Sequence, residues 1–367
     1  MKTLWPDYKN CIANLPNSIM KKSGVTPAGD TLPLLDSYME KDYRNIIVIL
    51  LDGLGVSILE KNLEETGFLR THLAGSISSV FPPTTVAATT SVLSGLQPCE
   101  HSWLGWDCYY PQVDKNITVF FNVEQGTDRQ AADYNVPYKY TAYESVYDRF
   151  VKAGRKAHVV APFLDPHPDS FEKICNRIAD ICRDDKDKKY IYAYWDDPDT
   201  TMHMNGCTST AAKQVIAVLQ DKVQALCSEL TDSLVIVTAD HGHINSRGVC
   251  ITDYPTIMDC LVRLPSIEPR ALNLFVREGK EKQLEEEFAR LFGKDFVLMT
   301  KEEVIDKQLF GTGSEHSCFR SMLGDYLAIA VGDLTIFNTK EEAEKFISVH
   351  AGMTEDEMLV PLIVIEK

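Results

Sequence analysis

Three runs of apolar and aromatic residues have the pattern of strands that are buried on both faces. The first, Ile46–Leu51, is uninterrupted and rich in β-branched residues, and Tyr190–Trp195 and Ser233–Thr238 repeat the pattern. Strands of this kind lie in the middle of parallel sheets that helices cover. Helical patterns separate the three runs, and the longest of them is Thr210–Leu230. This alternation predicts an α/β fold with a doubly wound sheet covered by helices.

The alternation ends after Ile244, where shorter strands and helices follow one another in a mixed order. Among them we predict a hairpin, in which 325–331 and 335–337 are joined through Gly332-Asp333. The chain returns to the core as a strand at Leu359–Ile365. These patterns predict a catalytic core of residues 1–244 and 346–367, with residues 245–345 inserted as a small α+β cap over the edge that carries the polar residues.

Composition narrows the classes of partner. The chain has 367 residues, a formal net charge of −16 and 44% apolar residues, which is ample for a large core. An acidic protein repels nucleic acid and anionic membranes, so we expect neither as a partner. The ten cysteines have no C-x-x-C spacing, and neither a secretory signal nor an apolar run of about 18 residues is present. We therefore expect a cytoplasmic protein with reduced thiols; its oligomeric state is not predicted.

Each of the three predicted strands ends in residues that can bind a metal. Asp52 follows the first strand, Asp199 and His203 follow the second, and Asp240 and His241 follow the third. Carboxylates and imidazoles in this mixture suit divalent ions, above all zinc. Adjacent ligands on an extended chain point in opposite directions, so Asp240 and His241 can serve two ions rather than chelate one. A single aspartate after a strand can also be a helix cap, but three such ends in one chain favour a site.

Four segments together resemble the alkaline phosphatase superfamily, and within it the type I phosphodiesterase/nucleotide pyrophosphatase branch. They are D-G-L-G at 52–55, V-F-P-P-T-T-V-A-A-T-T-S-V-L-S-G-L at 80–96, D-P-D-T-T-M-H-M-N-G at 197–206 and A-D-H-G at 239–242. The segments span most of the core and follow the order of the family. The resemblance implies an alkaline phosphatase-like fold and two divalent metal ions, usually Zn²⁺.

The resemblance also implies roles for individual residues. One ion would be held by Asp52, the nucleophile, Asp240 and His241, and the other by Asp199, His203 and a later histidine. The nucleophile would be Thr85, with Thr84 as the next choice. His350 is favoured as the later histidine, because it precedes a V-P-L-I-V strand. His316 is the alternative ligand or a substrate-binding residue, and His243 could hydrogen-bond to a ligand.

The implied activity is the metal-dependent hydrolysis of phosphoric esters, either phosphodiesters or nucleotide pyrophosphates, through a phosphothreonine. The substrate would be a small phosphorylated molecule such as a nucleotide. One turn after Thr85, Ala88 offers no side-chain donor to a phosphate oxygen. A phosphomonoesterase, a phosphonate hydrolase and a phosphomutase on the same two-metal core therefore remain alternatives. A metal-binding sensor module without turnover is an alternative of another class, against which the intact set of ligands argues.

Overall fold

The structure, a computed structural model, describes residues 1–184 and 186–367. Its strands in the described residues are β1 Asn45–Leu51, β2 Leu73–Ser78, β3 Asp107–Tyr110, β4 Lys115–Thr118, β5 Val123–Glu124, β6 Lys156–Val160, β7 Lys189–Trp195, β8 Ser233–Thr238, β9 Ile244–Asn245, β10 Arg247–Cys250, β11 Ser266–Glu268, β12 Ala271–Leu274, β13 Phe296–Thr300, β14 Tyr326–Ala330, β15 Leu334–Phe337, β16 Ser348–Val349 and β17 Leu359–Glu366.

Helices cover the strands. They are α1 Leu15–Lys22, α2 Pro33–Asp36, α3 Val56–Asn62, α4 Phe68–Thr71, α5 Thr85–Ser94, α6 Pro98–His101, α7 Val136–Tyr140, α8 Val146–Lys152, α9 Phe171–Asp184, α10 Asp199–Asn205, α11 Thr210–Glu229, α12 Pro255–Met258, α13 Glu281–Phe292, α14 Lys301–Asp306, α15 Phe319–Met322, α16 Lys340–Lys345 and α17 Glu355–Met358. Short 3₁₀ helices lie at Ile12–Asn14, Ser37–Glu40 and Ile251–Asp253. No helix in the described parts of the chain combines the length and apolarity that crossing a bilayer requires.

The central sheet has six strands in the order β2-β17-β8-β1-β7-β6. The three predicted strands β1, β7 and β8 are neighbours and run parallel, and Leu51 pairs with Trp195 while Leu50 pairs with Thr238. Every residue of β1 is buried, as expected for a strand with helices on both faces. The carboxyl ends of the three strands therefore meet at one edge, and the prediction of the core sheet is confirmed.

The last strand enters the sheet in the opposite direction. β17 runs antiparallel to both β8 and β2. Its amino end consequently lies at the edge where β1, β7 and β8 end. The segment before β17, which contains His350, is thereby brought to the same edge.

A second sheet of seven strands has the order β13-β14-β12-β11-β3-β4-β5. It combines strands from the predicted cap with three strands from 107–124, which join it because Ile267 on β11 pairs with Asp107 on β3. The predicted boundary at residue 245 is therefore not where this sheet begins. A pairing between segments some 160 residues apart leaves no periodic signal in either segment.

The predicted hairpin at 325–337 is wrong. β14 pairs with β12 and β13, whereas β15 pairs in parallel with β10. The turn between β14 and β15 is opened by Arg270, whose guanidinium binds the carbonyl oxygens of Gly332 and Leu334 at 2.9 and 2.8 Å. The buried guanidinium of Arg270 thus donates to carbonyl oxygens that would otherwise accept hydrogen bonds within a tight turn.

Candidate active site

Backbone hydrogen bonds tie the three carboxylate-bearing strand ends to one another. The amide of Asp52 donates to the carbonyl of Trp195, and the amide of Asp199 donates to the carbonyl of Asp52, each at 3.0 Å. The amide of Gly53 donates to Oδ1 of Asp240, also at 3.0 Å. The segments that carry Asp52, Asp199 and Asp240 are thus hydrogen-bonded to one another, and these bonds hold the three carboxylates at the sheet edge.

The first cluster is centred on Nε2 of His241. This atom lies 3.2 Å from Oδ1 of Asp52, 3.6 Å from Oδ2 of Asp240 and 3.3 Å from Oγ1 of Thr85. The Nδ1 atom of His241 lies 3.0 Å from the carbonyl oxygen of Gly242, which can only accept a hydrogen bond. Nδ1 therefore carries the proton of the neutral ring, and Nε2 presents a lone pair to the two carboxylates.

The second cluster is centred on Oδ1 of Asp199. The Nε2 atoms of His243, His203 and His350 lie 2.5, 3.3 and 3.7 Å from it. The Nδ1 atoms of His203 and His350 face the carbonyl oxygens of Ser348 and Pro83 at 2.7 and 3.3 Å. Both rings are therefore held in the tautomer that turns a lone pair towards Asp199.

The two clusters fit divalent cations. Oδ1 of Asp52 and Oδ2 of Asp240 are buried and accept no hydrogen bond from any described residue. Acceptor atoms that converge without a donor are costly unless a cation lies between them. Ligand atoms of Asp52, Asp199 and His241, and likewise those of Asp199, His203, His243 and His350, lie within 4.8 Å of one another. Carboxylate oxygen with imidazole nitrogen is the donor set that zinc and similar ions prefer.

Burial dominates the electrostatics of both clusters. It raises the pKa of Asp52 well above its ordinary value, and the charge of Asp199 adds to the effect. Burial, followed by the charge of Asp52, likewise raises the pKa of Asp240. Burial also lowers the pKa of His350 well below its usual range. Several neighbouring carboxylates cannot all be buried with their charges uncompensated, so either protons or a bound cation must offset the charge of the first cluster.

These shifts predict that metal binding stabilises the protein more as the pH rises. A carboxylate whose folded pKa is raised contributes stability below its unfolded pKa and loses it as the pH rises through the folded pKa. The lowered pKa of His350 has the opposite effect on the chelated protein, because a histidine that is buried in its neutral form costs stability as the pH falls. A bound ion must displace protons from its ligands, so we expect zinc to raise the melting temperature by on the order of 5 °C more at pH 8 than at pH 5. Thermal melts with and without zinc test this. An equal zinc effect at both pH values would contradict it.

Thr85 is the first residue of α5, and Thr84 is its N-cap. The first amides of a helix have no partner inside it and favour a neighbouring anion. The Thr84 hydroxyl has a different partner, since it donates to Oε1 of Glu268 at 2.6 Å. Of the two candidate threonines, Thr85 is thus the one whose hydroxyl lies beside the first cluster.

Three residues near the clusters were not assigned to the site from sequence. The hydroxyl of Tyr194 donates to Oδ2 of Asp52 at 2.5 Å, and its only signal was its place at the end of β7. His243, expected at most as an outer hydrogen-bonding group, lies within the second cluster. Its spacing of two from His241 was the available signal. Glu268 is buried, which raises its pKa to about 7, and its surroundings carry no motif.

His316 lies apart from both clusters. Its amide donates to the carbonyl of Cys99 at 2.8 Å, and its Nδ1 accepts from the amide of Cys318 at 3.1 Å. It belongs to neither group of potential ligands among the described residues. Nor does it line the cleft described next. The structure thus brings together every other residue predicted for the site, with His350 and not His316 beside Asp199.

A cleft of about 310 Å³ opens from the clusters towards the second sheet. Thr85, Asp199, His203 and His350 lie at its inner end. Its remaining wall includes residues from β3, β11 and the segment around α16, among them Trp106, Asp107, Glu268, Glu342 and Phe346. The cleft is large enough for a small phosphorylated molecule, whose phosphoryl group could reach Thr85.

A central sheet whose strand ends gather carboxylates and imidazoles beside a threonine in the first turn of a helix is typical of a class of metal-dependent hydrolases. The chain belongs to the type I phosphodiesterase/nucleotide pyrophosphatase family, whose profile matches residues 46–352. Family membership indicates an enzyme that hydrolyses phosphoric esters. It also confirms the resemblance seen in the sequence motifs.

Solved structures of similar fold support the architecture. Murine ectonucleotide pyrophosphatase/phosphodiesterase 5 matches with a TM-score of 0.67 and 17% identity, over 88% of each chain. Phosphonoacetate hydrolase from Sinorhizobium meliloti matches with a TM-score of 0.63 and 16% identity, over 93% of this chain and 92% of that one. At this identity the likeness shows the fold alone, and the predicted alkaline phosphatase-like fold is confirmed. No curated protein matches the chain by sequence.

Proposed function

We propose that this protein hydrolyses phosphodiester or nucleotide pyrophosphate bonds through a phosphothreonine on Thr85, with two divalent ions, Zn²⁺ above all. The observation that carries the proposal is the position of the Thr85 hydroxyl beside His241. It lies 3.3 Å from the same His241 nitrogen that faces the partnerless oxygens of Asp52 and Asp240. This contact supports the proposal, because a nucleophile at Thr85 would lie next to a bound cation.

Different residues of the chain would bind the ions, orient the ligands and face the phosphoryl group. Asp52, Asp240 and His241 would hold one ion, and Asp199, His203 and His350 the other. Bound ions would lower the pKa of the nucleophile and balance charge that develops on phosphorus. Tyr194 orients Asp52 through its hydroxyl, and the Nδ1 contacts fix the histidine rings. The first amides of α5 have no partner inside the helix and would favour an anionic phosphoryl group on Thr85.

Two relatives of the fold bind small phosphorus-containing molecules. An inactive threonine-to-alanine variant of the murine phosphodiesterase was solved with AMP, and the Sinorhizobium meliloti enzyme with phosphonoacetate. They support a small substrate here.

Metal content is the first test of the two-ion proposal. We expect elemental analysis of gently purified protein, and zinc titration after chelation, to saturate at about two ions per chain. His350→Ala should lose one ion preferentially, because it removes a ligand from the second cluster only. His72→Ala is a matched control, since His72 lies outside both clusters. Saturation at one ion or none in the unchanged protein would overturn the proposal.

Substrate preference is the companion measurement. Release of p-nitrophenol from diester and monoester model substrates, with and without zinc, separates a diesterase from a monoesterase on the same core. We expect the diester to be preferred and chelation to abolish the rate. A preference for the monoester would favour a phosphomonoesterase over the proposed phosphodiesterase.

A further inference from the structure

A cavity of about 240 Å³ lies at the opposite end of the central sheet from the two clusters. The neighbouring parallel strands β1, β7 and β6 all begin there. Arg44 immediately precedes β1, Lys189 is the first residue of β7 and Arg155 immediately precedes β6, and all three line the cavity. The seven residues of β1 lie between Arg44 and Asp52 and span roughly 25 Å, so the cavity is separate from the candidate active site.

The side chains around this cavity carry mainly positive charge. Its lining in the described residues contains five basic side chains and one carboxylate, which are Lys22, Arg44, Arg155, Lys188, Lys189 and Asp42. The chain as a whole has 53 acidic and 37 basic residues, so a shortage of carboxylates does not explain this grouping. Like charges that are held close together repel one another, and an anion that binds among them would relieve the repulsion.

The one carboxylate leaves two arginines of the cavity without an ion pair from the described chain. Asp42 is shared by Lys22 and Lys188, whose Nζ atoms lie 3.0 and 3.2 Å from its two oxygens. Arg44 and Arg155 pair with no described carboxylate, and Nε of Arg44 is buried without a hydrogen-bond acceptor. A buried donor on a charged group is costly when it is unpaired. An oxyanion beside Arg44 would supply the acceptor.

Helix ends explain two of the other cations. Lys22 lies in the last turn of α1, where the helix dipole favours a positive charge. Nζ of Lys189 donates to the carbonyl of Ile181 at 3.3 Å, near the end of α9. Arg44 precedes a strand instead, and Arg155 lies beyond the last turn of α8. The guanidinium groups of Arg44 and Arg155 are therefore the ones that a ligand would engage.

The chemistry and the size of the cavity define the class of ligand. Guanidinium groups bind phosphate and similar oxyanions through paired N–H donors, and the neighbouring ammonium groups add positive charge. At about 30 Å³ per water molecule, the cavity has room for roughly eight waters, which suits a compact anion rather than a whole nucleotide. Ile46 and Phe150 are buried in its wall, and their side chains offer no acceptor that would compete with the anion.

We propose that this cavity binds a compact phosphate anion, inorganic phosphate or pyrophosphate, through the guanidinium groups of Arg44 and Arg155. The site does not depend on the proposed hydrolysis, because no residue of the two clusters lines the cavity. A bound anion would offset the like charges at the amino ends of β1, β7 and β6, and it would stabilise the folded chain by binding to it.

Calorimetric titration with pyrophosphate tests the site. The full chain is chelated and then dialysed, so that the two clusters hold no cation that could attract the anion. At pH 7.5 and low ionic strength, we expect one pyrophosphate per chain with a Kd on the order of 10⁻⁴ M, and weaker binding as salt is added. Arg44→Gln and Arg155→Gln should each weaken binding by about tenfold or more, because each removes a charged pair of N–H donors.

Two control variants separate this site from the rest of the molecule. Arg177→Gln removes an exposed arginine that forms no ion pair with a described residue and lies outside the cavity, so the affinity should stay unchanged. His350→Ala alters the second cluster and should also leave pyrophosphate binding unchanged. Thermal melts provide a second readout, since pyrophosphate should raise the melting temperature of the unchanged protein and of both controls, but not that of Arg44→Gln.

Several results would overturn the proposal. They are the absence of binding to the unchanged protein at millimolar pyrophosphate, full affinity in both Arg44→Gln and Arg155→Gln, and loss of binding in His350→Ala, which would place the anion at the clusters. Arg155 is exposed, so its variant remains informative if Arg44→Gln fails to fold. Sedimentation with phosphatidate vesicles separates a soluble anion from a lipid headgroup. We expect none, and sedimentation that depends on Arg155 would overturn the soluble ligand.

Discussion

Replacing Thr85 by alanine is expected to lower kcat by roughly 10² or more while both ions remain bound. The expectation follows from the position of the hydroxyl, 3.3 Å from Nε2 of His241 and at the first turn of α5. Removing it takes away the atom that would attack phosphorus, whereas the remaining carboxylate and imidazole ligands stay in place. Metal content measured on the same sample separates loss of the nucleophile from loss of an ion.

Serine at position 85 should retain part of the activity, because it restores a hydroxyl at the same Cβ. Protein quenched in acid during turnover should carry phosphate on Thr85, which mass spectrometry can locate. Thr84→Ala is the adjacent comparison, since that hydroxyl donates to Glu268 rather than facing His241. Phosphate on Thr84 would make Thr84, and not Thr85, the nucleophile. Near-normal turnover of Thr85→Ala without any label would mean that water attacks directly.

Replacing Arg270 by methionine is expected to destabilise the protein by about 3–5 kcal/mol. Arg270 and Glu357 are both fully buried and form two hydrogen bonds, of 2.7 and 2.8 Å. Methionine would fill much of the volume but leave the Glu357 carboxylate buried with its charge uncompensated. The pair joins the second sheet to the segment before β17, and the carbonyl of Glu357 accepts from the Gly242 amide at 2.8 Å.

Urea unfolding measures the effect, and Arg247→Met is the matched control. Arg247 is exposed and binds Asp333 at 2.8 Å, so its replacement should cost less than about 1 kcal/mol. A double variant, Arg270→Met with Glu357→Leu, should recover part of the lost stability because no unpaired charge remains. A cost for Arg270→Met that matches the control would show that the buried pair contributes little.

The sequence by itself determined the central sheet and the residues at its strand ends. Ile46–Leu51 is apolar throughout because both faces of β1 are covered, and that is a local pattern. Asp52 and Asp240 then lie at one edge because parallel strands end together. The four motifs predicted the family, and the family match confirms it. Their prediction of Thr85 as the nucleophile stays a prediction.

The resemblance favoured His350, but only the tertiary structure decided how the distant segments come together. His350 lies beside Asp199 because β17 runs antiparallel, and the residues near His350 do not specify that direction. Glu268 enters the cleft because β11 pairs with β3, although about 160 residues separate them in the chain. Local periodicity records how each segment is buried, but not which segment lies against it. That choice follows from packing and from buried pairs such as Arg270 with Glu357, which form only once the chain has folded.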